Sequence, residues 1–203
     1  MAGKTGIHAD HRKRMRDRVK REGAFSIEDH ELLEVFLFDI IPRRNTNNTA
    51  HLLLDRFGSL EGVFSASADE LVKVEGIGRV TAEYIVNSYT AFLEERERDI
   101  LKSPMVSLEL LSNFILFHRK HFSDSIFTVI LLDGEFEVLR VIDTDSLEDS
   151  LSGDGEGCNV IIASDKEHAQ LAVEWHPING VLVDVVSVDG FDVESMIRFP
   201  QVK

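Results

Sequence analysis

What this sequence has little of narrows it first. Among its 203 residues there is one cysteine, Cys158, so no internal disulfide can form, and without a CxxC pair there is no thiolate zinc site. No apolar run approaches the ~20 residues that cross a bilayer. The opening MAGKTGIHADHRKRMRDR lacks the apolar stretch of a secretory leader. A reducing, cytoplasmic setting away from membranes is the expectation. Positive charge is also scarce, since 22 Lys/Arg against 36 Asp/Glu leave a net charge of −14. The shortage is uneven. Residues 1–22 hold eight basic and three acidic residues, residues 23–103 eight and fifteen, and residues 104–203 six and eighteen. Acidic surface repels phosphate and a basic stripe attracts it, so any nucleic-acid contact falls to the first half.

What is present reads as helices first and strands later. ADHRKRMRDRVKRE, residues 9–22, has neither Gly nor Pro and ends at Gly23, as a helix does. Met15 and Val19 form its thin apolar stripe; the rest is basic. Ser26 and Asp29 predict a capping pair before the apolar helix ELLEVFLFDII, which Pro42 stops. TAHLLLDRF is a helix closed by Gly58, Ser59 starts a short one, and Ser67 with Glu70 makes a capping box for ADELVKV. A long helix runs from about Arg79 to Leu101. Ser103-Pro104 then separates residues 1–103 from residues 104–203. The second half opens with a helix over SLELLSNFILFHRKHF. The period then shortens: SIFTVILLD and EFEVLRVID flank the turn signal Asp133-Gly134, NVIIAS is a buried strand, DKEHAQLAVEWH a helix, and GVLVDVVSV a strand before Asp189-Gly190 and a last strand. The polar DSLEDSLSGDGEGC between them reads as a loop.

Leu71 to Ala82, LVKVEGIGRVTA, has the spacing of a helix-hairpin-helix. Its glycines allow a sharp turn and leave backbone N–H groups uncovered at the positive end of the second helix. A DNA phosphate can accept from the N–H groups around Gly76, Gly78 and Val80, with Arg79 adding charge and Thr81 alongside. Such contacts read no base. The alternative is that Ile77 plugs a helical core and the glycines only form the corner; Glu75 argues in that direction. Arg43 and Arg44 lie in the connector IPRRNTNN of a preceding helix-connector-helix, which a paired packing would bring to the same duplex. Arg12, Arg14, Arg16 and Arg18 are the basic face of the first helix, with a solvated amphipathic helix as the plainer account.

HRKRMRDRVKREG, DHELLEVFLFDIIPRRNTN, RFGSLEGVFSASADEL and VEGIG, in that order, resemble the N-terminal region of the bacterial RadC family over about residues 11–100. That family carries a DNA-repair label. Its second domain is of the JAB/MPN type, a metalloprotease-like, cytidine-deaminase-like α/β fold whose zinc site has the form His-x-His-Pro with a downstream Ser and Asp and an upstream Glu. The second half here resembles that domain's opening helix and hairpin, and its later strands. At the position of the metal loop, however, Ser164 runs directly into Asp165-Lys166-Glu167. The loop is missing as a unit. His168 and His176 stand eight apart on the predicted helix, roughly 12 Å along its axis, too far to share an ion. Asp143 and Glu148 are placed near the upstream Glu. Cys158 has acidic neighbours that raise a thiol's pKa and blunt it.

The resemblance implies an α+β protein: an all-α helix-hairpin-helix domain followed by a degenerate MPN/JAB-like α/β domain with a mixed sheet. The expected function is non-catalytic, with no cofactor, no metal and no catalytic residue. Duplex or branched DNA is bound without regard to sequence by the first half, and a protein partner by the acidic second half. Two alternatives stay open: a JAB-type metallohydrolase with a rearranged site, and a protein-interaction module without DNA binding.

Overall fold

The computed structural model describes residues 4–42, 44–150, 157–175 and 180–197. It divides into two compact units, residues 1–92 and 93–203, with the division inside one long helix.

The first unit is helical. α1 (Lys4–Glu22) is followed by a 3-10 turn at Ala24–Ser26, then α2 (Asp29–Ile40), α3 (Asn47–Phe57), α4 (Leu60–Ser65), α5 (Ala68–Leu71) and the start of α6 (Arg79–Leu101). The predicted cap at Ser26 is not made. Ser26 is drawn into the 3-10 turn, donating its N–H to the carbonyl of Gly23, while Ile27 buries itself behind it. Glu28 therefore precedes α2, without a side-chain cap. The other two start signals act as expected: the Ser59 hydroxyl accepts from the N–H of Gly62, and Ser67 and Glu70 form a reciprocal capping box. Gly58 closes α3 in the left-handed conformation at φ 81°. One apolar core, built on Leu33, Leu37, Leu53, Val63, Leu71 and Ile85, joins α2 to α6.

The second unit holds α7 (Leu108–His121), β1 (Phe127–Leu132), β2 (Val138–Thr144), α8 (Leu147–Ser150), β3 (Asn159–Ser164), α9 (Lys166–Ala172), β4 (Val181–Asp189) and β5 (Asp192–Ser195). The sheet order is β2-β1-β3-β4-β5, and only β3 and β4 run parallel. That pair needs a crossover, which α9 supplies. Alternation decides which residues meet which helix. Val129, Leu131, Val160, Ile162 and Val185 pack with Ala169 and Ala172 of α9. Ile130, Leu132, Ile161, Ala163 and Val186 pack with Leu111, Phe114 and Ile115 of α7. The result is a helix, sheet, helix sandwich around β1, all six residues of which are buried. The protein is thus α+β: helices first, then a five-stranded mixed sheet. α8 forms inside the segment whose sequence predicts only loop.

Candidate functional site

The turn between α5 and α6 is built around Gly76. Its φ is +91°, a conformation that L side chains rarely adopt, and a Cβ there would meet the Thr49 hydroxyl at 2.7 Å. That contact places the first turn of α3 against the α5–α6 turn. Ile77 is buried and Gly78, Arg79 and Val80 are exposed. The first N–H within α6 to find a helical acceptor is that of Ala82, which donates to the Gly78 carbonyl. The N–H groups ahead of it lie in the turn where helices leave donors open. Thr81 is buried, so its hydroxyl is not presented at the surface; Val80, 78% exposed, is the outward residue instead. The Arg79 guanidinium is held between Glu83, at 2.7 Å, and Asp69.

The arginines of α1 divide by role. Arg12 donates to the carbonyls of Phe38, Ile41 and Arg44 at 2.6–2.8 Å and lies over the Phe38 ring, closing the C-terminal end of α2. Arg16 pairs with Asp39 at 2.5 Å and also covers Phe38. Arg18 bridges Glu22 and Glu31. Arg14 is exposed and, with Lys13 and Lys20, makes no ion pair among the described residues. Arg44 is exposed in the connector, and Arg43 lies outside the described residues. Of the predicted sites, Gly76 packs against the start of α3, while Gly78 and Arg79 follow it on the exposed side of the turn.

Sequence reasoning missed a histidine. His118 of α7 is 8% exposed and sits between two carboxylates, with Nδ1 2.5 Å from Glu97 and Nε2 2.9 Å from Asp143. Asp143 also accepts from the Thr128 hydroxyl at 2.9 Å. Burial pushes the His118 pKa down, but the two carboxylates outweigh it and leave the pKa raised. Burial likewise pushes Asp143 up, and His118, Ser123 and Thr128 together hold it below the ordinary carboxylate value. The signal was available. His118 follows Leu111 and Phe114 by seven and four residues, on the apolar face of α7.

Asp184 is fully buried in β4 and satisfied by the N–H groups of Val185 and Ile197 and the hydroxyl of Ser195. It pairs with Ile161, just past the shift in the β3–β4 register between Val160 and Ile161. Cys158 is buried in the core on the α9 side. Asp165 caps α9, accepting first from the backbone N–H of His168, and this holds its carboxyl below the usual value. α9 ends at Ala172, and His176 lies outside the described residues. Among the described residues, no three His, Cys, Asp or Glu side chains are placed to hold a metal ion, and no helix is long and apolar enough to cross a membrane.

Residues 8–83 match the UPF0758 N-terminal family. The helical unit is therefore similar to UPF0758 N-terminal domains. A UPF0758 protein of Ruegeria pomeroyi is 34% identical over 125 residues, 61% of this chain and 56% of that protein. One from Fusobacterium nucleatum is 36% identical over 75 residues, 37% of this chain and 32% of that protein. The match to these UPF0758 proteins thus spans about half of one and a third of the other. No solved structure matches the chain. The matched segment contains most of α1, all of α2 to α5, the Gly76 turn and the first residues of α6, hence every site residue discussed for this half.

Proposed function

We propose that the helical unit binds the sugar–phosphate backbone of DNA without regard to sequence, as a helix-hairpin-helix does. The acidic second unit is read as a non-catalytic, metal-free MPN/JAB-like module in a cytoplasmic protein. One observation carries the DNA reading: Gly78 has no internal reason to be glycine. Its φ is outside the left-handed range, and a Cβ there would meet nothing within 4 Å. Gly76, two residues earlier, is demanded by the fold. A glycine that the fold does not need, at an exposed turn ahead of open helix N–H groups, leaves the backbone bare for an outside group to approach.

Arg79 is available for the same purpose. Its pairs with Asp69 and Glu83 are surface pairs, of the kind that contributes about 0–1 kcal/mol and is readily exchanged for a phosphate. Arg44 and Arg14, which make no ion pair among the described residues, supply further charge, with Arg43 beside Arg44 in sequence. Arg12, by contrast, is read as a structural cap.

The test is duplex binding across a salt series. The intact protein should lose affinity steeply with salt, with a slope of about 0.9 per phosphate contacted. Gly78→Ala should leave the melting temperature unchanged and weaken binding, and Arg79→Ala should weaken binding and flatten the slope. Gly76→Ala should instead unfold the turn, by about 2 kcal/mol or more from the positive φ and the Thr49 clash. A flat salt response, or full binding by both Gly78→Ala and Arg79→Ala, would sink the reading. A protein-docking role for the same unit would then stand on a different feature: an aromatic groove of about 310 Å³ formed by Phe36, Phe64, Tyr89 and Phe92.

A further inference from the structure

Both nitrogens of the buried His118 ring face carboxylates, Nδ1 that of Glu97 and Nε2 that of Asp143. An ionised carboxylate only accepts hydrogen bonds, and a neutral imidazole has a single N–H to give. Both contacts are therefore hydrogen bonds only while the site holds one proton more than a neutral ring and two carboxylates. The charged groups facing the ring are these two, from α6 and β2. β1 adds the neutral Thr128, which donates to Asp143. The rings of Phe114 and Phe122 flank His118, and the neighbouring Arg119 turns to the Ile126 carbonyl.

The two sides of this bracket are not equally anchored. Asp143 lies in a strand of the sheet and keeps the hydroxyls of Thr128 and Ser123 without the histidine. Glu97 has no other partner among the described residues, and at 20% exposure water can take the place of the ring. It also fastens its helix end alone. Among the described residues it is the one side chain of residues 94–102 with a hydrogen bond or ion pair outside that segment. Arg98 pairs with Glu94 and Glu95, and Lys102 with Asp99. Packing there is incomplete. Ile100 and Leu101 touch the α7-side core, but a cleft of about 380 Å³ lies between Arg96, Ile100 and Ser103 and the α7 residues Leu110, Asn113 and Phe117. A gap forfeits the dispersion contacts that would hold the two helices together, so the polar anchor carries more of the docking.

We propose that the Glu97–His118 contact is a proton-operated latch, which holds the end of α6 on α7 while the ring carries two protons and frees residues 97–102 when one leaves. The proton goes to solvent, and the remaining N–H stays with Asp143, the better-held carboxylate. Because the two carboxylates raise the His118 pKa, release falls above the ordinary histidine range. The latch lies within the second unit and is independent of the DNA reading.

Side-chain ¹⁵N shifts of His118 and amide hydrogen exchange, both on the full chain from about pH 5.5 to about pH 8.5, test it. At about pH 6.5, the ordinary histidine value, most of the ring population should carry protons on both nitrogens. As the second proton leaves, protection of amides 98–102 should fall about tenfold, the difference between a charged and a neutral hydrogen bond. The fall should be smaller at amides 129–131 of β1, which open only with the whole unit. Glu97→Gln should bring amides 98–102 to the alkaline level at about pH 5.5 and leave them indifferent to pH. Glu95→Gln, which disturbs only a local pair with Arg98, should keep the wild-type profile. A mostly neutral ring at about pH 6.5, a fall no larger at 98–102 than in β1, or a Glu97→Gln profile like the wild type overturns the proposal. The first two readings need no variant.

Discussion

Replacing Asp143 by Asn tests the His118 bracket most directly. Asn keeps the size of the side chain and can still accept from the Thr128 hydroxyl, so the change removes chiefly the negative charge facing Nε2 of His118. Breaking one side of a fully buried ion pair costs about 3–5 kcal/mol. The Asp143 side chain is 27% exposed and Glu97 remains on the other side of the ring, so the expected loss is nearer the strength of a single charged hydrogen bond, about 2 kcal/mol. Its pH dependence has a definite sign. The raised His118 pKa contributes stability that is complete below the ordinary histidine value and is lost as pH rises through the raised value. The depressed Asp143 pKa contributes stability that is complete above the ordinary carboxylate value and is lost as pH falls through the depressed one. Both are fully present only between those two ordinary values, near pH 5.5. The gap between wild type and Asp143→Asn should therefore be largest there and shrink as pH rises through the raised histidine value. Trp175, the single tryptophan, packs in the α9-side core and reports unfolding of this unit by fluorescence in urea. A gap that is constant with pH, or that widens toward pH 8.5, refutes the charged bracket.

Two further outcomes bear on the helical unit. Arg12→Ala removes three hydrogen bonds to carbonyls and the stacking on Phe38, and should cost about 2–3 kcal/mol in urea unfolding followed by circular dichroism. Arg14→Ala should stay within about 0.5 kcal/mol by the same measurement, and equal losses would contradict the division of roles in α1. The Thr46 hydroxyl is buried without a partner among the described residues and does not cap α3. Thr46→Val should therefore stabilise by about 1 kcal/mol, whereas a loss of the usual capping size would show that the hydroxyl is satisfied after all.

Local signals in the sequence carried most of the element order. Capping residues at Ser59 and Ser67, the glycine at 58 and the β-branched runs around Asp133-Gly134 each depend on neighbours a few residues away, and the structure forms what they predict. Ser26 misled because the burial of Ile27 outweighed a cap, and burial is decided by distant residues. The arginines of α1 show the same limit in another form. Arg12 and Arg14 are alike in sequence, one helical face apart, and only the position of the α2 carbonyls makes one a cap and leaves the other at the surface.

The central strand has a further consequence once it is considered detached from its neighbours. Phe127-Thr128-Val129-Ile130-Leu131-Leu132 carries no charge, proline or glycine, and in the native sheet both of its edges are covered, by β2 and β3. Released, it has the composition of a self-pairing segment, with Asp124 and Asp133 as its nearest charged flanks. Loss of the β2 or β3 pairing would turn the best-buried strand of the protein into its most adhesive one. Heating of the second unit should then end in aggregation before it reaches a soluble unfolded state.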